Sequence, residues 1–322
     1  MKTLATYFTR ELPCINSALE EILTNLHPAV REVARHIVQS GGKRLRPLLL
    51  FLFASSLGCR KKSVYDLAAA FELLHSASLL HDDILDQAES RRNKKAAHLV
   101  YGVHNTILAG DALFARASSL VAAENNPRMA TCFAEAMEFT VTAEIQEQKL
   151  MCQPEMNMAD YLEVITGKTA YLIQACCTFG VLAAGGSEQQ LAGAAAYGLN
   201  IGIAFQLVDD AIDYSTSEDV SGKPQGGDLR EGKLTLPLIF YLQDMSENDR
   251  THLLTDLRTG NVPEDRLQSL LRDINAKNCP QRTRETARRY LETAGRELDC
   301  LPPGEPRSAL LDIIDYILQR KK

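Results

Sequence analysis

The sequence predicts an all-α protein, on three observations. Apolar residues recur three and four apart along almost the whole chain, no stretch shows a convincing strand or hairpin pattern, and the breaks between periodic stretches are short. A chain of 322 residues, 45% apolar, could hold one large core or two ordinary ones. The short breaks favour one compact domain over 1–322, with no linker.

The first helix is predicted over 16–39 and stops at Gly41-Gly42. The second, 47–57, opens on Pro47, whose missing N–H is harmless at a first helical position, and closes at Gly58. Helices over 64–88, 104–123, 128–151 and 159–183 follow, punctuated by Asn126-Pro127, Pro154 and Gly185-Gly186. The next, 188–214, is apolar or small on nearly every face up to residue 208, as suits a central helix or a subunit interface. Beyond the polar SGKPQGGDLREGK loop (221–233) come 233–244, 249–258, 264–275, 281–298 and, after Pro302-Pro303-Gly304, 307–320. The C-terminal helices read only as packing elements.

A net charge of −6 argues against nucleic acid or an anionic membrane surface as partner. Eight cysteines, with no CxxC pair and no zinc spacing, read as reduced thiols of a cytoplasmic protein. The N-terminus lacks a signal-peptide apolar core. The longest apolar run, near 48–54, falls far short of the roughly 20 residues that span a bilayer, so the chain is expected to be soluble, with at most peripheral membrane contact.

The chemistry begins at LLHDDILD (79–86). At about 100° per residue, Asp82 and Asp86 stand about 40° apart on one helix face, with Asp83 on the flank. Like charges so crowded destabilise the helix unless a cation neutralises them. One such motif could be a solvated helix end. FQLVDDAIDY (205–214) repeats it, with Asp209 and Asp213 on one face and Asp210 beside them, and two accidents of this kind are improbable. An all-oxygen set without histidine or thiol ligands of proper spacing suits Mg²⁺, which keeps waters and is completed by substrate phosphates. The implied ligand is a diphosphate.

Cationic counterparts accompany these motifs. HIVQSGGKRLRP (36–47) places Lys43, Arg44 and Arg46 in a turn at a helix start, where backbone amides and the dipole already attract an anion. Arg91-Arg92 follows the first acidic motif by five residues, and His75 lies within about 20° of the Asp82 face. Two cationic groups flanking a magnesium-type acidic pair can hold two anionic substrates, one through metal and one through direct salt bridges.

GGKRLRP, LLHDDILD followed by RR, GDALFARA (110–117), GKTA (167–170), FQLVDDAIDY and GK-x-x-GGDL-x-x-GK-x-TLP (222–237) together resemble the motif series of the trans-isoprenyl (polyprenyl) diphosphate synthases. The resemblance covers roughly residues 35 to 240. It implies a bundle of antiparallel helices around a deep central cavity, in a homodimer, acting with two or three Mg²⁺ on isopentenyl diphosphate and an allylic diphosphate. By similarity, Asp82, Asp86 and Asp209 ligate the metal, supported by Asp83, Asp210 and Asp213. Arg91, Lys168, Thr169 and Gln206 contact the allylic diphosphate, with Lys223 and Lys233 added from the glycine-rich loop, a candidate flap. Lys43, Arg46, His75 and Arg92 hold isopentenyl diphosphate.

The resemblance also bears on product length. Ala77 and Ser78 occupy positions where short-chain members of the family carry bulky aromatics; small residues there leave a tunnel open and imply a medium- to long-chain product. Phe133, Met137, Thr140 and Glu144 share a face of the 128–151 helix, and Phe133 lies about 16 Å deeper than Glu144 at 1.5 Å per residue. Phe133 is therefore a candidate floor residue, with ordinary core packing as the alternative. The chain departs from the family at Asn93, where a glycine is usual, and in lacking the customary proline-threonine that follows.

Three other readings fit less of the sequence. A class I terpene cyclase has no need of the GGKRLRP turn. A metal phosphohydrolase built on His81-Asp82 leaves the second acidic motif unused. A helical scaffold, or the silent subunit of a two-component synthase, could lose acidic ligands, whereas this chain retains all six aspartates.

Overall fold

The computed structural model describes residues 2–92, 94–151, 153, 156–216, 225–260 and 262–320. Of the residues singled out above, Asn93, Pro154 and Lys223, and with Lys223 the start of the candidate flap, lie outside them. The helices are α1 (Lys2–Thr24), α2 (Pro28–Val38), α3 (Leu45–Ser56), α4 (Lys62–Leu85), α5 (Ala97–Tyr101), α6 (Val103–Ala122), α7 (Pro127–Leu150) and α8 (Met158–Ile165). A π-helical turn (Thr166–Ala170) leads into α9 (Tyr171–Ala184) and then α10 (Glu188–Ser215). After these come α11 (Gly227–Arg230), α12 (Leu236–Leu242), α13 (Glu247–Arg258), α14 (Glu264–Ala276), α15 (Cys279–Glu297) and α16 (Glu305–Leu318).

The all-helical prediction holds, with local corrections. The 16–39 stretch is two helices, because Pro28 starts α2 and keeps His27 out of helical geometry (φ −55°, ψ 138°); the His27 ring caps the amide of Ala29. Apolar periodicity runs across this break and hides it. α1 begins at Lys2 and runs through Pro13. α3 begins at Leu45, so Pro47 is its third residue, still within the first turn where N–H groups are unpaired. A two-residue antiparallel pair, Ser90–Arg91 with Lys94–Lys95, has too few residues to show any alternation in sequence. The window of α10 is long and apolar enough to cross a membrane by composition, but 61% of it is buried, as in a core helix. Weighing only the uninterrupted apolar run at 48–54 passes over it.

The chain forms two compact units. The first contains Met1–Met137, Ala175–Ala195 and Cys300–Asp312. Its core is α3, buried on every face from Leu48 to Ala54, with α4 packed against α3, α6 and α1. Phe71, Phe133 and Phe179 meet there edge to face, with centroids 4.8 Å apart for Phe71–Phe179 and 5.4 Å for Phe71–Phe133. The second contains Glu138–Gln174, Ala196–Asp299 and Ile313–Lys322. In it α12 packs against α15, α14 and α8, and the C-terminal part of α10 buries Leu207, Val208, Ala211 and Tyr214.

Candidate active site

Both acidic motifs stand at the C-terminal ends of long helices, where the helix dipole is already negative and carboxylates are disfavoured. In the first unit α4 ends at Leu85 and Asp86 is its C-cap, with its amide bonded to the Asp82 carbonyl at 2.8 Å. Asp86 is exposed and Asp82 half-buried, whereas Asp83 is fully buried. Arg91 donates from Nε to Asp83 Oδ1 at 2.7 Å, and Asp83 Oδ2 has no hydrogen-bond partner among the described residues. The middle aspartate thus fixes an arginine, and the outer two reach the surface. His81 bonds the Ile107 carbonyl at 3.1 Å and lies 3.7 Å from Asp111. An ideal Cβ on Gly110 would sit 2.3 Å from His81 Nε2, so the residue opening GDALFARA is a glycine because the ring occupies that space.

The basic turn does not present all its cations to solvent. Arg44, left-handed at φ 48°, turns inward to pair with Glu72 and donates to the Val38 carbonyl, so its expected place among the anion-attracting side chains is corrected. Lys43 is exposed and Arg46 half-buried. Arg92, itself left-handed at φ 51°, lays its guanidinium against Gly42: a Cβ there would meet Nη1 at 2.7 Å. Burial, then Arg46, Arg92, Arg91 and Arg44, push His75 well below the usual histidine range. It is therefore a neutral hydrogen-bonding group inside an arginine cluster. The short hairpin carrying Arg91 and Arg92 is held to α2 through His36, which bonds the Lys95 carbonyl at 2.8 Å. Ala77 is fully buried, and half-buried Ser78 donates to the His75 carbonyl at 2.9 Å. Phe133 belongs to the aromatic trio, and its partner Phe71 lies on α4 about 16 Å from Asp82.

In the second unit a cavity of about 100 Å³ is lined by Lys168, Thr169, Gln206, Asp210, Asp228 and Lys233 among others. Lys168 and Thr169 come from the π-helical turn, a distortion frequent at functional sites. Burial alone would lower the Lys168 pKa, but Glu147 and Glu144 outweigh it and raise it; the Glu144 contact is 3.0 Å. Thr169 donates to Gln206 at 2.9 Å and Gln206 to Asp210 at 2.8 Å, while buried Tyr161 donates to the other Asp210 oxygen. Burial pushes the Asp210 carboxyl up to about 7, with Asp209 and Glu147 adding to the rise and the two hydrogen bonds opposing it. Asp213 accepts the amides of Gly227 at 3.2 Å and Asp228 at 3.1 Å, so the described part of the glycine-rich loop is docked onto α10. Asp209 is 37% exposed and pairs with Arg320.

Sequence reasoning missed Glu72, Glu147, Tyr161, Asp228 and Arg320. Glu72 carried a signal, a lone carboxylate in the apolar FELL stretch, and Asp228 lies inside the quoted GGDL motif. Tyr161 and Glu147 carried none. Arg320 corrects the reading of the C-terminal helices as packing elements alone. Among the described residues no three histidine, cysteine, aspartate or glutamate side chains form a ready-made metal cluster.

The helical architecture places the chain in a class, the all-α isoprenoid synthase fold. It superposes on polyprenyl synthase from Caulobacter crescentus, solved in complex with calcium and isoprenyl diphosphate, with a TM-score of 0.93 and 31% identity over 100% of this chain and 98% of that one. Residues 27–274 match the polyprenyl synthetase family, to which the chain belongs. It is 30% identical over 313 residues to octaprenyl diphosphate synthase of Escherichia coli, covering 97% of each chain. It is 32% identical over 314 residues to geranylgeranyl diphosphate synthase of Methanosarcina mazei, covering 95% of each. The protein is thus a prenyltransferase of the trans-prenyl diphosphate synthase type.

Proposed function

We propose that the protein, acting as one catalytic domain, condenses isopentenyl diphosphate with an allylic diphosphate to give an all-trans polyprenyl diphosphate of medium to long chain. The observation that carries this reading is the pair of aspartate motifs at the negative ends of long apolar helices, each already drawing an arginine: Arg91 at Asp83 and Arg320 at Asp209. Such ends attract cations. The donors are carboxylates without histidine or thiol, which fits magnesium completed by water and substrate phosphate.

Magnesium, when bound, supplies positive charge at the leaving diphosphate oxygens. Asp82 and Asp86 in the first unit, and Asp209 in the second, would hold magnesium ions. Asp83, Asp210 and Asp213 act behind them by fixing Arg91, Gln206 with Tyr161, and the amides at 227–228. Lys168, Thr169, Gln206, Lys233 and Arg91 orient the allylic diphosphate, with Lys223 assigned to the same set. Lys43, Arg46, Arg92 and neutral His75 orient isopentenyl diphosphate. As the allylic C–O bond breaks, the cations around the leaving group stabilise its developing charge, each contact being worth about 10²–10³ in rate. The allylic cation then adds to the isopentenyl double bond and a proton is lost to the released diphosphate. No nucleophilic side chain takes part, and apolar helices exclude the water that would quench the cation.

Small side chains at Ala77 and Ser78 support a long product, and the similarity to an octaprenyl diphosphate synthase agrees. A shorter product is the second reading, supported by the similarity to a geranylgeranyl diphosphate synthase. The exposed Leu99, Val100, Val103, Ile107 and Leu108 support a homodimer, which we place in the cytoplasm. Incubating the purified protein with Mg²⁺, farnesyl diphosphate and labelled isopentenyl diphosphate and sizing the products tests the reading. Absence of incorporation with any allylic primer refutes it.

A further inference from the structure

Arg320 follows α16 and reaches back to α10. Its Nη2 donates to Asp209 Oδ1, its guanidinium lies 4.4 Å over the ring of Phe205, one turn before Asp209, and its own carbonyl accepts from Arg284 at 3.1 Å. The side chain is 8% exposed. Nε and Nη1 are buried without a hydrogen-bond partner among the described residues. An arginine can clamp a carboxylate with two parallel bonds; this one uses a single nitrogen and leaves other donors desolvated, a weaker hold than the side chain could make. The chain therefore brings a positive charge onto an aspartate at the negative end of α10, in a grip suited to release.

We propose that Arg320 is a tethered placeholder cation: it occupies Asp209 in the metal-free protein and must leave before a divalent ion can take that carboxylate, so the C-terminus sets the metal concentration at which the site fills. The inference rests on Asp209 being a metal ligand. Arg320 is here a positioning residue; the stacking on Phe205 and the Arg284 bond keep it near its aspartate.

The test uses the full chain, Mn²⁺ as the metal and inorganic pyrophosphate as the second ligand, with free Mn²⁺ read by electron paramagnetic resonance. R320M, which keeps length and contact with Phe205 but no charge, is expected to lower the half-saturating Mn²⁺ concentration about tenfold, since one charge-assisted hydrogen bond less has to be broken. R320K stays near wild type. In the wild type, amide hydrogen exchange over 313–320 rises when Mn²⁺ and pyrophosphate bind, a readout that needs no variant. An unchanged or raised midpoint in R320M overturns the proposal, as does exchange that does not rise. Asp209→Asn separates the two levels of inference. If it leaves Mn²⁺ binding intact, Asp209 is no ligand and the placeholder falls with that assignment. If it weakens binding while R320M changes nothing, only the placeholder falls.

Discussion

Replacing Asp210 by asparagine should make the metal-free protein more stable at neutral pH, although it removes a residue of the second acidic motif. Asp210 is 3% exposed, and its carboxyl is raised from 3.8 to about 7, chiefly by burial. A carboxyl whose pKa is higher in the folded state than in the unfolded chain keeps its proton where the unfolded chain has lost it. Its stabilising contribution is full below about pH 4 and is lost as pH rises toward about 7. The slope is about 1.4 kcal/mol per pH unit, and the whole rise corresponds to at most about 4 kcal/mol. Asparagine preserves the geometry: its oxygen still accepts from Gln206, and Tyr161 can turn its hydroxyl to accept from the new amide. His75, held neutral by burial and arginines, acts oppositely and adds stability as pH rises toward 6.5, so the difference between wild type and variant is the informative quantity. Urea denaturation in chelator at pH 5, 6, 7 and 8 measures it. D210N is expected to gain on the wild type by about 2 kcal/mol or more between pH 5 and 7. Parallel profiles, or a wild type that gains on the variant as pH rises, would refute the reasoning.

Phe133→Ala should lengthen the product, measured by chromatographic sizing on protein still folded despite an expected loss of about 3–5 kcal/mol from the aromatic trio; an unchanged distribution removes Phe133 as a floor residue. Gly110→Ala forces His81 off the Ile107 carbonyl and should destabilise by about 1–3 kcal/mol in urea melts. Adding His81→Ala to it should relieve the clash, so that the two changes together cost less than their sum. Glu72→Gln strands Arg44, both partners of that pair being under a tenth exposed, and should cost about 3–5 kcal/mol. The apolar double replacement R44M/E72M should recover most of that loss; a single-variant effect within about 0.5 kcal/mol would show that the pair carries little.

Much of the molecule was legible in the chain. Helical periodicity shows the class, and the repeated DDxxD spacing marks both acidic motifs at helix ends, because both are properties of neighbours within a few residues. The break at Pro28 was legible too, but a continuing apolar stripe masked it. Local pattern could not say which charges are spent inside the fold. Arg44 and Arg46 look alike in GGKRLRP, yet a left-handed backbone and Glu72, 28 residues away, turn Arg44 inward. Asp82 and Asp83 are neighbours, but Asp83 is sealed inside against Arg91 while Asp82 stays half-buried. Arg320 meets Asp209 across 111 residues. Periodicity and spacing are written by the short-range geometry of the backbone and so belong to the sequence; the partner of a buried charge is chosen by desolvation and by whatever distant group the folded chain brings within bonding distance, and that the tertiary structure alone decided.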